Sequence, residues 1–343
     1  MFKFLKVLAL SACMLAPAFA QGAPIEFKCQ VNYGPNHILW KNVLQPWADS
    51  FAEKTNGEFT VHLFPGGSIV DINDAPKAIK NGLLDMGAWT PFGNPADNPY
   101  SVITCVPGFS KGSYQGGLAG QKWIETQPEA KKELDKIGIP IAFWASAPTC
   151  LTSVKEPIRK PEDLKGKRVL VLSGTDANII EAWGGLPVKI ANSDMYVGLQ
   201  RGMGEVAFGT PPAHRGHKLE EVSKYMTIVP SLGIVMAIVV NREAFEDLPE
   251  QYQKMLLDSS AGLTEGLGKG LDGFSEMSVK VFADAGVEII RLTPEEQAAF
   301  DAAQKLDSAD GTWAAFFKKQ GVKGDVLEYM RKALELSATV NVQ

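Results

Sequence analysis

Short hydrophobic runs alternate with amphipathic segments along the first part of the chain. "IEFKCQVNYG" and "EFTVHLFPGG" predict two strands, and the segment between them has apolar residues at helical spacing followed by a glycine that can end a helix. "DAPKAIKNGLLDMGAW" predicts another helix, a turn and a third strand. This strand–helix–strand–helix–strand order is typical of an α/β layer with parallel strands.

The same pattern restarts downstream. Strands are predicted at "IPIAFWASA", "KRVLVL", "PVKIA", "EVAFGT", "GIVMAIVVN" and "VEIIRL", with the helices "DANIIEAWGG" and "NSDMYVGLQRGMG" between them. A long helical region in the C-terminal half contains scattered glycines, which weaken the helix prediction there. The pattern predicts two α/β lobes, with the chain crossing between them more than once. We assign residues 21–145 and 234–273 to lobe 1, and residues 146–233 and 274–343 to lobe 2.

The first twenty residues, "MFKFLKVLALSACMLAPAFA", predict a cleavable signal peptide. Two lysines precede a short apolar run, and Ala18-Phe19-Ala20 supplies small residues at the cleavage site. The run is shorter than the roughly 20 apolar residues that span a bilayer. Lipid attachment at Cys13 within "LSAC" is the second interpretation. Either way the chain is predicted to be exported, and its remaining length suggests two domains.

Composition excludes some functions and leaves others open. The net charge is −5, which argues against nucleic-acid binding because that function favours a basic face. Three cysteines follow the leader, Cys29, Cys105 and Cys150, with no CxxC or zinc spacing. We expect mostly buried thiols, since free cysteine is among the most buried residue types. One disulfide remains an alternative.

No catalytic or metal-binding motif indicates an enzyme. The chain lacks a GxSxG elbow and a GxxxxGK[ST] phosphate loop. His214 and His217 in "HRGH" have a spacing that could share a metal on a helix, but the adjacent "GTPP" and Gly216 favour a solvated loop. We therefore predict a protein without catalysis, metal or cofactor.

Three residues at strand ends are candidates for ligand contact. Trp89 and Phe208 each close a predicted strand, where open α/β sheets bind ligands, and the alternative for both is a core aromatic. Arg168 stands at the entrance of "RVLVL", where an arginine is either solvated or a ligand clamp. The residues alone favour the core and solvated alternatives.

A resemblance to a known family makes the ligand-binding interpretation of these residues the favoured one. The ordered segments are "FAEKTNGEFTVHLFPGGSIVDINDAPKAIKNGLLDMG", "PIRKPEDLKGKRV", "MYVGLQRGMGEV", "VSKYMT" and "VVNREAFEDLPEQYQ". With them the chain resembles the DctP-type solute-binding proteins of tripartite ATP-independent periplasmic (TRAP) transporters. The resemblance covers essentially the whole chain after the leader. It implies an α/β, two-lobed periplasmic binding protein fold with a cleft between the lobes and a long helix in the C-terminal half.

The resemblance also implies a ligand site. It makes Arg168 the clamp for a carboxylate, because a guanidinium offers two parallel N–H donors to that group. Further ligand-binding positions are implied at Asn32, Trp89, Thr90, Asn192 and Ser231. At two further sites the chain departs from the family: Thr149 stands where many relatives carry a second arginine, and Phe208 and Gly209 replace an acidic and an amide residue. These departures predict an organic acid with an apolar or compact body.

The predicted function is therefore capture of a small organic anion, most simply a carboxylate, in the periplasm. The implied partners are the membrane subunits of a TRAP transporter, and the binding protein is expected to be a monomer. There are three alternatives. The protein could bind an organosulfonate, it could be the binding protein of an ABC-type transporter, or it could be an exported α/β enzyme.

Overall fold

The computed structural model describes residues 23–342, so the predicted signal peptide lies outside the described residues. Two sheets organise this part of the chain. Their strands are β1 Ile25–Val31, β2 Phe59–Pro65, β3 Met86–Trp89, β4 Ile139–Ala145, β5 Cys150–Ser153, β6 Arg168–Val171, β7 Leu186–Lys189, β8 Val206–Gly209, β9 Tyr225–Ile228, β10 Val235–Val240 and β11 Glu288–Arg291.

Helices cover the faces of both sheets. They are α1 Gln45–Thr55, α2 Ala75–Lys80, α3 Ser113–Thr126, α4 Pro128–Asp135, α5 Gly174–Ala182, α6 Met195–Gln200, α7 Pro211–Gly216, α8 Arg242–Glu246, α9 Glu250–Asp258, α10 Ser260–Asp284, α11 Pro294–Ala303, α12 Thr312–Gln320 and α13 Val326–Ala338. A π-helical segment, Trp40–Leu44, leads directly into α1. Short 3₁₀ turns lie at Val102–Cys105, Pro161–Leu164, Asn192–Asp194 and Leu219–Glu221.

Lobe 1 is built on a five-stranded sheet with the order β2-β1-β3-β10-β4. Strand β1 pairs in parallel with β2 and β3, as the sequence predicts, while β10 runs antiparallel between β3 and β4. All six residues of β10 are buried, which explains its continuous run of apolar side chains.

Lobe 2 is built on a six-stranded sheet with the order β11-β9-β5-β8-β6-β7. Strand β6 pairs in parallel with β7 and β8, and β5 runs antiparallel to both β8 and β9. The two-lobed α/β fold class and the long helix, α10, are therefore confirmed. The sequence did not predict β5 or β9 as strands, although it predicted other four-residue strands such as β6 and β8.

Two crossings between the sheets place their carboxyl edges opposite each other. Residues 146–149 lead from the carboxyl end of β4 to the start of β5, and residues 229–234 lead from the carboxyl end of β9 to the start of β10. Since β5 and β10 are antiparallel to their neighbours, each starts at the carboxyl edge of its own sheet. The cleft between the lobes is therefore bordered by the carboxyl ends of the parallel strands, the edge where open α/β sheets bind ligands.

Helix α10 and the C-terminal tail also connect the lobes. Helix α10 packs on α3 and β4 of lobe 1, and further along on α7 and β11 of lobe 2. In the tail, the Trp183 indole of lobe 2 donates a hydrogen bond of 3.0 Å to the carbonyl of Phe300 in α11. Helix α13 packs on α3 of lobe 1, although we assigned the whole tail to lobe 2. The domain boundaries themselves stay a prediction.

Glycines in α10 allow other helices to approach it closely. A Cβ at Gly268 would lie 2.5 Å from the Cα of Tyr114 in α3. At Gly266 and Gly270 it would lie 2.9 Å from Val43 Cγ1 and 2.8 Å from Leu39 Cδ2, on the segment that follows β1. The glycines that weakened the helix prediction are thus contact positions. No helix within residues 23–342 combines the length and the apolar character that crossing a membrane requires.

Candidate functional site

Arg168 lies at the amino end of β6, on the edge of the sheet that faces away from the cleft. Its side chain is exposed, and its guanidinium donates hydrogen bonds to the carbonyls of Met203 at 2.9 Å and Gly202 at 3.1 Å. The carboxyl end of β6 is three residues further on, about 10 Å away at the usual strand rise. This placement argues against the predicted carboxylate clamp at Arg168.

Trp89 and Phe208 are core residues, each about 2% exposed or less. The Trp89 indole donates a hydrogen bond to Asn98 Oδ1 at 3.3 Å, and Phe208 packs edge-on against Trp183 with ring centroids 5.8 Å apart. Phe208 is therefore a core side chain, which was the alternative to the predicted ligand contact. Gly209 packs against the buried His214, since a Cβ at this position would lie 2.6 Å from His214 Nε2.

Thr149 and Ser231 are brought together, but as a link between the two crossing segments. Their hydroxyl oxygens are 3.0 Å apart, and the backbone N–H of Ser231 donates to Thr149 Oγ1 at 3.1 Å. Thr149 Oγ1 in turn donates to the carbonyl of Val229 at 2.5 Å. Both side chains are buried, so the structure gives them a role in joining the crossings. Thr90 lies near this region, with its hydroxyl donating to the Val235 carbonyl at 3.1 Å.

The two predicted asparagines border the cleft from opposite lobes. Asn32 follows β1, and its amide contacts only the Met236 sulfur, at 3.7 Å, while Oδ1 is buried without a hydrogen-bond partner. Because amide orientation is assigned from such contacts, either orientation leaves one polar end of Asn32 unpaired. Asn192 follows β7 and pairs with His217 Nε2 at 2.9 Å. Asn32 therefore has hydrogen-bonding capacity to offer a ligand, whereas Asn192 is already engaged.

A groove between the lobes lies beside α10. It has a volume of about 480 Å³ and is lined from lobe 1 by Asn36, His37, Ile38, Lys41 and Asn42, from lobe 2 by Pro212, Arg215 and Gly216, and from α10 by Phe274. The lining combines basic, amide and apolar side chains, and no carboxylate is among them. Such a lining favours an anionic occupant. We refer to this cavity as the interlobe groove.

Arg215 supplies the half-buried positive charge of the interlobe groove. It lies in α7, which follows the carboxyl end of β8, and its guanidinium carbon sits 5.6 Å from the centroid of the Phe274 ring. Among the described residues no carboxylate forms an ion pair with it. The two acidic residues on either side of Phe274 in α10 are engaged elsewhere: Asp272 accepts from the backbone of Ser113 at 2.6 Å, and Glu276 pairs with Arg291 at 2.5 Å.

His37 faces the same groove from lobe 1. Its Nδ1 accepts a hydrogen bond of 3.1 Å from the backbone N–H of Leu39, which leaves the proton of the neutral ring on Nε2. Partial burial lowers the pKa of His37, so the neutral ring is favoured. The ring stacks on Tyr33 at 4.4 Å and meets Phe274 edge-on at 5.4 Å. His37 thus presents an N–H donor, held in place by two aromatic neighbours.

Tyr33 and Trp144 hold the His37 ring in position. The Trp144 indole N–H donates to Tyr33 Oη at 3.0 Å, and burial raises the pKa of Tyr33 to about 12. The phenol is therefore neutral at any physiological pH. Its fixed ring keeps the stacked His37 in position.

The other candidate chemistry is structural. His214 lies in the short helix α7 rather than the predicted loop, and its burial lowers its pKa to about 3. The three thiols are free and buried, which confirms the prediction for Cys29, Cys105 and Cys150, and burial raises the pKa of each. Within residues 23–342 no group of three or more potential metal ligands comes together.

Sequence reasoning missed Arg215, His37 and Phe274 as groove residues. A signal for Arg215 was present, because it lies five residues beyond the end of the predicted strand "EVAFGT", on a cleft-facing connection. In "HRGH" the two histidines suggested a metal pair, and the arginine between them carries no motif of its own. Phe274 could not be placed from sequence, since its position depends on how α10 packs between the lobes.

Comparisons with known proteins match this chain to one family of solute-binding proteins. Residues 30–311 match the model of the family described as bacterial extracellular solute-binding protein, family 7, DctP. Among curated proteins, the C4-dicarboxylate-binding periplasmic protein DctP of Rhodobacter capsulatus is 27% identical over 305 residues, which cover 85% of this chain and 87% of the relative.

Solved structures share the fold. A TRAP periplasmic solute-binding protein from Desulfovibrio salexigens, crystallised as an open complex, superposes with a TM-score of 0.79 at 22% identity, covering 92% of this chain and 96% of the other. A TRAP solute-binding protein from Rhodoferax ferrireducens in complex with copurified benzoate gives 0.74 at 17% identity, covering 92% and 98%. Since the family model spans most of the chain, this protein belongs to the bacterial extracellular solute-binding protein family 7, the DctP family.

Proposed function

We propose that this protein captures a small organic anion, most simply a carboxylate, between its two lobes and delivers it to the membrane subunits of a TRAP transporter. The observation that carries the proposal is the interlobe groove, whose charged lining residues, Lys41 and Arg215, are both basic. They belong to different lobes, so an anion bound there is attracted from both sides.

Capture by closure follows from the connections between the lobes. In the open form the groove admits solvent, and an anion can reach the guanidinium of Arg215. Closure then removes water from around the charges, which strengthens their attraction relative to the same pair in bulk solvent. A neutral analogue would leave a buried cation unpaired, so it should bind poorly.

Known relatives support a carboxylate. The Rhodobacter capsulatus relative is named for C4-dicarboxylate binding, the Rhodoferax ferrireducens protein carries benzoate, and a protein from Bordetella bronchiseptica carries mandelate. A carboxylate is the group that these molecules have in common, while their bodies differ. Family membership therefore supports the charged group more firmly than the identity of the ligand.

The remaining parts of the proposal concern place and partners. The N-terminal leader "MFKFLKVLALSACMLAPAFA" supports export with cleavage after Ala20. We infer a monomeric periplasmic protein that binds its solute without turnover. No nucleic acid is expected as a partner, given the net charge of −5.

A thermal-shift screen tests this function. Carboxylates, organosulfonates and the uncharged amides of the same acids are added to the mature protein over a range of concentrations. A bound ligand stabilises the native state by mass action, so a cognate carboxylate raises the unfolding midpoint increasingly with concentration, and its amide does not.

Two results would contradict the proposal. A preference for the amides over the acids would exclude anion capture, and consumption of a bound acid, followed by NMR of the mixture, would indicate an enzyme. A response to sulfonates alone would change the ligand class while leaving anion capture intact.

A further inference from the structure

We propose that Arg215 is the residue that binds the ligand's anionic group, with His37 as a second donor, and that the ligand is a carboxylate with a flat apolar body. This inference rests on the proposed function and deepens it by naming the site and the chemical class. It assigns the anion to the interlobe groove and not to the neighbourhood of Arg168.

The first step is charge. Arg215 is half-buried, and among the described residues no acidic side chain forms an ion pair with it. Its contact is the ring of Phe274, which attracts a cation but does not neutralise it. Asp272 and Glu276, which lie on either side of Phe274 in α10, already have partners. A partly desolvated guanidinium without a counter-charge is a site that an external anion would complete.

The second step is geometry. The Phe274 ring lies 5.6 Å from the guanidinium carbon, and within the described residues no hydrogen bond occupies the guanidinium N–H groups, so they are available for the paired hydrogen bonds that a carboxylate accepts. The His37 ring meets the same Phe274 ring edge-on, so both donors are positioned by one side chain of α10. Arg215 belongs to lobe 2 and His37 to lobe 1. A single anion can therefore connect the lobes as they close.

The third step concerns the body of the ligand. The half-buried inner wall of the groove is formed by Ile38, Pro212 and Phe274, together with the His37 ring. The polar residues Asn36, Lys41 and Asn42 are exposed and lie at the rim. An apolar, partly aromatic wall favours a flat hydrocarbon body, whereas a body with many hydroxyl groups would lack partners there.

The experiment measures binding by calorimetry for the mature wild-type protein and four variants. The probes are benzoate, mandelate, succinate and glucuronate, each with its uncharged amide. The variants are Arg215→Ala, Arg215→Lys, Arg168→Ala and Arg201→Ala. Arg201 is an exposed arginine of lobe 2 beyond α6, at the sheet edge away from the cleft, and serves as the matched control.

We expect wild type to bind benzoate or mandelate more tightly than succinate or glucuronate. Arg215→Ala should weaken that binding at least tenfold, the scale for removing one partner of a hydrogen-bonded charge pair. Arg215→Lys should keep part of the affinity, because it retains the charge but loses the planar fork. Arg201→Ala and Arg168→Ala should bind as wild type does.

Each contrary result has its own meaning. If wild type binds a carboxylate and Arg215→Ala loses less than tenfold, the assignment to Arg215 is overturned while the proposed function stands. A loss confined to Arg168→Ala would restore the clamp that the sequence predicted. Tighter binding of succinate or glucuronate would overturn the flat apolar class. If wild type binds none of the four acids but the thermal-shift screen identifies another carboxylate, the flat apolar class is overturned while the proposed function stands. Unfolding midpoints of the unliganded variants show whether each one is folded.

Discussion

The imidazole of His214 is only 1% exposed, within lobe 2. Its Nδ1 lies 2.7 Å from Thr152 Oγ1 and 3.4 Å from Cys150 Sγ, while Nε2 has no hydrogen-bond partner and fills the space above Gly209. Because burial penalises the charged ring, the pKa of His214 falls to about 3. The group therefore stays neutral in the native state and takes up a proton readily only after unfolding.

This buried histidine should make stability depend on pH. The unfolded chain protonates His214 below about pH 6.5, while the native state resists protonation until about pH 3. Stability is thus lost as the pH falls through that window, by up to about 1.4 kcal/mol per pH unit. Between pH 7.5 and 4.5 we expect wild type to lose about 2–3 kcal/mol more than His214→Gln, measured by urea unfolding. Equal losses in the two proteins would contradict the burial argument.

Residue types alone did not single out Arg215 as a candidate ligand residue. Arg168 and Arg215 are both arginines of lobe 2 in segments with a functional interpretation, and the family resemblance favoured Arg168. What separates them is the direction of the neighbouring strand, since Arg168 begins β6 and Arg215 lies beyond the end of β8. The sequence predicted both strands, so this distinction was accessible. The contact between the Arg215 guanidinium and the Phe274 ring could not be predicted, because it depends on tertiary packing.

At the scale of elements, α10 is the part of the fold most dependent on small residues. Its 25 residues contact α3, the segment after β1 and lobe 2 in turn, and glycines mark the closest approaches. Glycine usually costs a helix about 1 kcal/mol relative to alanine. Here, at Gly268, the cost is offset because any side chain would meet the backbone of Tyr114.

Substitutions at two glycines of α10 should therefore have opposite effects. Gly268→Ala places a methyl group 2.5 Å from the Tyr114 Cα, and we expect a loss of about 1–3 kcal/mol from the resulting overpacking. Gly273 has open space at the corresponding position, so Gly273→Ala should gain up to about 1 kcal/mol through helix propensity. Urea unfolding of both variants measures the difference. Similar stabilities would show that α10 can shift away from α3.

The strands and helices with clear periodicity could be predicted from sequence, and those without it could not. Strands β1, β2, β4 and β10 each span six or seven residues and follow recognisable apolar patterns. Strands β5 and β9 have four residues each and are stabilised by pairing with one another across the sheet. These strands form because they pair with strands that are distant in sequence, and a local sequence pattern carries no information about such partners.

At the scale of the whole molecule, the two crossings act together as one narrow connection. The backbone N–H of Ser146 donates to the Ile234 carbonyl at 2.9 Å, and the N–H of Val229 donates to the Thr149 carbonyl at 2.9 Å. With the Thr149–Ser231 contact, these bonds hold the crossings side by side. Motion between the lobes is thus expected as bending at this pair rather than separation of the strands.

Ligand binding should therefore make the protein more compact. At saturation with a carboxylate identified in the thermal-shift screen, the radius of gyration from small-angle X-ray scattering should decrease, because the anion contacts both lobes. The corresponding amide serves as the control and should leave the radius unchanged. An unchanged radius with the acid fully bound would mean that capture does not require closure.

The C-terminal tail has a consequence for the energetics of capture. It leaves lobe 2 at α11 and reaches lobe 1 at α13, where Gln115 of α3 donates to Ser337 Oγ at 2.9 Å. A body tethered at several points samples fewer relative orientations than one suspended from a single flexible joint. Ligand binding then removes less rotational freedom of one lobe relative to the other. The entropic cost of binding is smaller, so more of the attraction between the anion and the protein is retained as affinity.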